Sequence, residues 1–281
     1  MRISVASGKG GTGKTTLAVN LALSIGPCTL VDCDVEEPNC GLFLGGKARK
    51  IAEVALKVPK FDLERCTRCG KCSEFCRYHA IAVVPPDKLL FFPELCHSCG
   101  GCALVCKYDA ISEEGRGVGE ISHSSHDGLE LYQGRLNVGE PMATPIIKEL
   151  KSLAKGRMVI LDSPPGTSCP MIEAVRDSDV CVLVTEPTPF GLHDLKLAVG
   201  VVRKIGVSHC VVINRNGIGN DRVEQYCRDE GIPVIMRIPD DREIAVLYSS
   251  GIPFVTEMKE YKERFESALS AVGQIAGGGR R

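Results

Sequence analysis

Two runs of cysteine stand thirty residues apart in this chain, Cys66-x2-Cys69-x2-Cys72-x3-Cys76 and Cys96-x2-Cys99-x2-Cys102-x3-Cys106. Closely spaced thiolates are soft ligands, and four of them with x2, x2, x3 spacing are the pattern that wraps a chain around a [4Fe–4S] cube. Eight thiolates could also hold two zinc ions, because CxxC pairs are common zinc ligands. The repeated four-cysteine spacing favours iron, and it predicts two [4Fe–4S] clusters as cofactors.

A second constellation lies near the start. Gly8-Lys9-Gly10-Gly11-Thr12-Gly13-Lys14-Thr15 follows a short apolar strand, Arg2 to Ala6, and precedes a stretch whose Leu17, Leu21 and Ile25 recur every four residues until Gly26-Pro27. Strand, glycine loop and helix in that order turn successive backbone N–H groups toward one point at a helix N-terminus, where an anion of phosphate size fits. Lys14 is then expected to meet the β- and γ-phosphates of ATP, and the Thr15 hydroxyl to ligate Mg²⁺. Residues Gly8 to Thr16 form the expected nucleotide cradle.

Lys9 adds something an ordinary phosphate loop does not need. The stretch KGGTGKTT resembles the deviant Walker A loop of the MinD/ParA/Mrp/nitrogenase-iron-protein superfamily. The resemblance implies that Lys9 reaches the nucleotide of a partner chain in an ATP-bridged homodimer. Other segments match the superfamily in its order. Leu30-Val31-Asp32-Cys33-Asp34 is similar to a strand ending in the switch I aspartate, which makes Asp34 the residue that orients the attacking water. Met158 to Gly166 resembles the Walker B strand and switch II loop, with Asp162 holding Mg²⁺ through water. Asn214, at the end of Val211-Val212-Ile213, resembles the asparagine that bonds adenine, and Pro239 and Asp240 resemble the loop flanking the base. Lys9, Lys14 and Asp34 are the implied catalytic residues.

The cysteine segment carries its own internal repeat. Gly70 matches Gly100, and Tyr78-His79-Ala80-Ile81 matches Tyr108-Asp109-Ala110-Ile111. The segment resembles a two-cluster bacterial ferredoxin, and that resemblance implies crossed ligation: Cys66, Cys69, Cys72 and Cys106 for one cluster, Cys96, Cys99, Cys102 and Cys76 for the other. Where ferredoxins usually place proline after the fourth cysteine, this chain has Arg77 and Lys107. Positive charge beside an anionic cluster favours its reduced state.

The elements that must position these groups follow from hydrophobic patterning. Apolar strands near residues 2–7, 28–33, 157–162, 180–185, 209–214 and 232–237 alternate with helical stretches that include 191–204, 220–231 and 257–276. Such alternation predicts an α/β fold, a mostly parallel sheet with helices on both faces and its ligand site at the carboxyl ends of the strands. The expected organisation is a P-loop ATPase domain in two parts, 1–60 and 113–281, interrupted by a small α+β ferredoxin-like domain at 61–112. A connection rich in lysine leads into the insert and a glycine-rich one, beginning at Glu113, leaves it.

Composition narrows the function classes. A net charge of −1 provides no basic stripe, so nucleic acid is not an expected partner. No apolar run is long enough to span a bilayer and no leader is read, so the expectation is a soluble, cytoplasmic protein without a membrane anchor. The tail Gly277 to Arg281 is unlike the membrane-targeting helix of MinD. Seven further cysteines, Cys28, Cys33, Cys40, Cys169, Cys181, Cys210 and Cys227, are read as buried thiols of a reducing compartment. Cys169 has an alternative reading, because it stands seven residues after Asp162, at the offset of a cluster ligand in the nitrogenase iron protein. His123 and His126 are read as members of a solvated serine-rich loop.

The expected function is an ATPase whose nucleotide-bridged dimer gates electron transfer through the clusters to a redox or metal-cofactor-assembly partner. Two other classes stay open: an Mrp-type iron–sulfur carrier or scaffold, which would need a CxxC pair after Cys106 that the chain lacks, and a MinD-like spatial regulator with structural clusters.

Overall fold

The computed structural model describes residues 1–84 and 86–278; Pro85 and the last three residues of the tail, Gly279 to Arg281, lie outside the described residues. Strands β1 (Arg2–Ala6), β2 (Thr29–Asp32), β8 (Val159–Asp162), β9 (Val180–Thr185), β10 (Ser208–Asn216) and β11 (Val234–Pro239) pair in parallel in the order β11-β10-β9-β1-β8-β2. These strands are nearly continuous apolar runs, as expected where both faces are covered. On one face Ile3, Val5, Leu30 and Ile160 pack with α1 (Lys14–Ser24) and α11 (Glu260–Gly278). The other face splits between two clusters. Leu183 and Val211 meet α6 (Cys169–Val175), α7 (Pro189–Lys204) and α8 (Arg222–Asp229), while Val31 and Leu161 meet α5 (Thr144–Leu153).

Three strands beyond the expected six complete a nine-stranded sheet. β7 (Leu129–Leu136) pairs in parallel with β2, then β6 (Ile111–His126) and β3 (Arg49–Phe61) extend the sheet as antiparallel neighbours. The supposed connections are therefore strand. The irregularly spaced charges of β3, at Arg49, Lys50, Glu53, Lys57 and Lys60, and the glycines and serines of β6 mask a β pattern that pairing with a neighbour enforces. His123 and His126 belong to β6 rather than to a loop, and His123 hydrogen-bonds Glu130 across the hairpin.

Register decides where the insert stands. β6 pairs with β7 only from Gly119 to His126, whereas it pairs with β3 from His123, opposite Arg49, down to Ile111, opposite Phe61. Residues 55–61 and 111–118 therefore form a two-stranded ribbon that continues past Leu136, beyond the carboxyl ends of the parallel strands. At about 3.4 Å per residue it rises roughly 25 Å. The segment 62–110 hangs from its tip and contains the short helices α3 (Lys71–Phe75) and α4 (Gly101–Leu104) and the hairpin β4 (Ile81–Val84)–β5 (Lys88–Phe91).

The ribbon's exit is tightly packed. A Cβ on Gly119 would stand 2.3 Å from Ile146 Cδ1 and 2.4 Å from the Arg135 carbonyl oxygen. Gly119→Ala is expected to destabilise the protein by about 1–3 kcal/mol through overpacking, measured as a lower denaturation midpoint.

Candidate functional site

The carboxyl ends of β1, β2, β8 and β10 surround the glycine loop. Gly13 caps α1 in a left-handed conformation, φ 92°, and a Cβ there would meet Asn214 Nδ2 at 2.3 Å. That same amide donates to the Thr12 carbonyl at 2.8 Å, so β10 braces the loop. A Cβ on Gly8 would stand 2.2 Å from the Asp194 carbonyl, whereas Gly10 and Gly11 face open space. Gly11, Gly13, Thr16, Asn214, Pro239 and Asp240 line a cleft of about 260 Å³ that opens to solvent.

Beside the loop lie Asp32, Asp34 and Asp162, and Lys14 is buried among them. Thr15 Oγ1 donates to Asp162 Oδ2 at 2.6 Å, while Asp162 Oδ1 is buried without a partner among the described residues. A hydroxyl and a carboxylate with a free buried oxygen form the hard-oxygen donor set that Mg²⁺ takes. Burial, then the charge of Asp32, pushes the Asp162 carboxyl well up, against the Thr15 hydrogen bond. Burial and Asp32 likewise push Asp34 up to about 6, against the pull of Lys14.

Asp32 itself is an anchor. It accepts from the backbone N–H groups of Asn39 at 2.8 Å, Cys40 at 2.9 Å and Asp34 at 3.1 Å, and from Gln133 Nε2 at 3.3 Å. These bonds tie the segment from Asp34 to Asn39 and α2 (Cys40–Leu44) to β2 and β7. Lys9 is held inside its own chain, 3.4 Å from the buried carboxylate of Glu186, which also pairs with Arg215 at 3.0 Å.

The cysteine runs form two cages. Cys66, Cys69, Cys72 and Cys106 line one cavity, and Cys76, Cys96, Cys99 and Cys102 line the other. Backbone conformation repeats with the sequence: Arg68 and Ser98, Gly70 and Gly100, and His79 and Asp109 are all left-handed. The Ala110 N–H donates to Cys106 Sγ at 3.4 Å. Among the described residues, only Asp32, Cys40 and Asp162 bring three candidate ligand atoms within 4.8 Å of one another, so no three cage thiols come that close. Sulfurs on a tetrahedral zinc, with Zn–S near 2.3 Å, stand about 3.8 Å apart. Four thiolates in each cage are the donor set that a [4Fe–4S] cluster takes.

A profile of the CobQ/CobB/MinD/ParA nucleotide-binding domain matches residues 3–254. The chain belongs to this family. A Methanocaldococcus jannaschii protein of uncharacterised function is 32% identical over 94% of this chain and 95% of its own length. A Pyrococcus horikoshii iron–sulfur cluster carrier protein is 24% identical over 99% of this chain and 88% of its own. In fold, the septum site-determining protein MinD of Pyrococcus horikoshii, solved with Mg-ADP, superposes with a TM-score of 0.60 at 21% identity, covering 100% of this chain and 99% of that one. This mostly parallel MinD-like fold carries no helix, among the described residues, long and apolar enough to cross a membrane.

Within this MinD/ParA-family site, sequence reasoning missed Asp32, Gln133, Glu186 and Arg215. Glu186 had the same signal as Asp162, an apolar strand ending in an acid, Val184-Thr185-Glu186. Gln133 had none, because its role arises from the β2–β7 pairing. Of the seven remaining thiols, six are buried as expected, but Cys169 is exposed. It opens α6 at the mouth of the switch II loop, where the turn after Pro164-Pro165-Gly166 leaves it uncovered.

The raised Asp34 carboxyl has a consequence for stability. A carboxyl lifted from 3.8 to about 6 contributes stability that is fully present below pH 3.8 and is lost as pH rises through 6. In EDTA without nucleotide, the Asp34→Asn protein should therefore lose less thermal stability than the parent between pH 5 and 7. Identical pH profiles by calorimetry would contradict this account.

Proposed function

We propose that this protein is an ATP-dependent iron–sulfur protein in which ATP binding and hydrolysis, in a nucleotide-bridged dimer, gate electron transfer through two [4Fe–4S] clusters to a redox or metal-cofactor-assembly partner. The observation that carries the reading is the rise of the ribbon, with both cysteine cages, from the same edge of the sheet as the glycine loop and Asp162. A change of that edge on nucleotide binding is thereby mechanically adjacent to the cages.

In this reading the residues divide the work. Backbone N–H groups of Gly10 to Thr15 and the Lys14 ammonium bind phosphate oxygens, and Thr15 with Asp162 holds Mg²⁺. Asp34, with its carboxyl lifted toward neutrality, orients the attacking water and can take its proton. Lys9 exchanges Glu186 for the second chain's nucleotide, where its charge offsets that developing on the transferred phosphoryl group. The clusters, when bound, supply one-electron chemistry. Cys66, Cys69, Cys72 and Cys106 hold one and Cys76, Cys96, Cys99 and Cys102 the other.

The carrier reading is favoured by relatives named as iron–sulfur cluster carriers at 24–25% identity. Against it stands the composition of each cage, four cysteines from its own chain, which leaves no open ligand position through which a cluster would be handed on.

Anaerobically prepared protein should contain about eight irons per chain, as expected of two four-iron clusters, and show two reduced [4Fe–4S]⁺ signals by electron paramagnetic resonance. Stoichiometric zinc would end the redox reading, and loss of both clusters to an apo-ferredoxin acceptor would favour the carrier. Asp34→Ala should retain ATP binding yet lower turnover by about 10²-fold or more, with an ATP-bound dimer accumulating in light scattering. Parental turnover would remove Asp34 from catalysis.

A further inference from the structure

The two cages are copies related by the thirty-residue repeat, yet the charged groups on their walls differ. Tyr78, Ala80 and Ile81 line the cage of Cys76, Cys96, Cys99 and Cys102; thirty residues later, Tyr108, Ala110 and Ile111 line the other. The equivalence extends to the strands. The β4–β5 pair Val83–Leu89 borders the cage of Cys66, Cys69, Cys72 and Cys106. Its counterpart is the ribbon pair Glu113–Pro59, which borders the other cage. The ribbon thus serves as the second hairpin of the repeat, with Glu113 where the first copy has Val83.

At two further places the copies differ in charge. Arg68 and Lys71 line the cage of Cys66, Cys69, Cys72 and Cys106, and their repeat mates are the uncharged Ser98 and Gly101. Arg68 Nε is buried without a hydrogen-bond partner among the described residues, whereas Lys71 is an exposed side chain paired with Glu74 at 2.8 Å. Glu113 leans over the opposite cage: a Cβ on Gly100, between Cys99 and Cys102, would stand 3.3 Å from its Oε1. Its partner Lys57 lines the same cage but lies 4.0 Å away and is 76% exposed, against 35% for Glu113, so water screens the lysine more.

Fixed positive charge favours adding an electron to a nearby centre, and fixed negative charge opposes it. Resting on the cluster reading above, we infer that Arg68 and Glu113 are potential-setting residues that split two otherwise equivalent clusters. The cluster at Cys66, Cys69, Cys72 and Cys106 is the higher in potential, and the one at Cys76, Cys96, Cys99 and Cys102, against the ribbon, is the lower. A single electron from an outside one-electron donor therefore resides at the ribbon's tip, and no bond or proton changes place in that step. Only a second electron reaches the cage nearer the nucleotide edge.

The test is a dithionite titration of the full chain followed by electron paramagnetic resonance, with iron analysis alongside. Two separate midpoints are expected. Glu113→Gln should raise the lower midpoint and leave the upper, Arg68→Ser should lower the upper and leave the lower, and the double variant should bring the two together. Val83→Glu, the mirror change, should lower the upper midpoint. Coincident midpoints in the parent, or a Glu113→Gln shift confined to the upper one, would overturn the assignment while eight irons per chain left the cluster reading intact. Protein that binds no iron would instead sink the cluster reading itself.

Discussion

The pairing of β3 with β6 beyond the end of β7 is the constraint on which the arrangement of this molecule depends. Because β7 runs parallel to β2 and β8, its end marks the edge where Asp32 and Asp162 terminate their strands. An antiparallel neighbour that overruns that end can project only past the same edge. The insert could not stand on the far side of the sheet without breaking this register, and a one-residue slip would turn the buried Val54, Val58 and Val118 to solvent. Close packing of Gly119 against α5, with the Arg116–Glu140 ion pair between the ribbon and the loop after β7, stiffens the point of departure.

The nucleotide edge is electrostatically incomplete in a productive sense. Three carboxyl groups converge beside Lys14, and all three are pushed upward by burial, with the charge of Asp32 adding to the rise of Asp34 and Asp162. Buried like charges are unfavourable unless a cation joins them, and the orphaned Asp162 oxygen lies where a divalent ion would help. Asp32 turns part of the same negative charge to structural use by gathering the N–H groups that shape the segment from Asp34 to Asn39. Through Gln133 that carboxylate also touches β7, the strand against which β6 and the ribbon are built. A contiguous path of hydrogen bonds and strand pairing thus joins the Asp34 segment to the base of the ribbon.

Much of the chemistry was legible in the chain. Local motifs identify themselves because their physics is local: a glycine loop needs left-handed or uncrowded positions within a few residues, and a cysteine run needs only its own spacing. The strands that carry Asp32, Asp162 and Asn214 were readable as apolar runs, since strands covered on both faces must be apolar almost throughout. β3, β6 and β7 were not: β3 and β6 are half-exposed and rich in lysine, glutamate, glycine and serine, and β7 is interrupted by Gln133-Gly134-Arg135, so all three derive their conformation from neighbours and not from propensity.

What the sequence determined by itself was therefore composition and order: a phosphate loop, its carboxylates and eight thiols in two equivalent runs, within an alternating α/β chain. Tertiary structure alone decided which groups meet. It sorted the thiols into cages drawn from both runs, set Glu186 against Lys9 across most of the domain, left Cys169 uncovered, and put Glu113 of the ribbon where its repeat mate is Val83. The physical reason is that such contacts arise from strand register and packing between segments far apart in the chain, 177 residues for Lys9 and Glu186 and 202 for Thr12 and Asn214, and no local rule encodes that register.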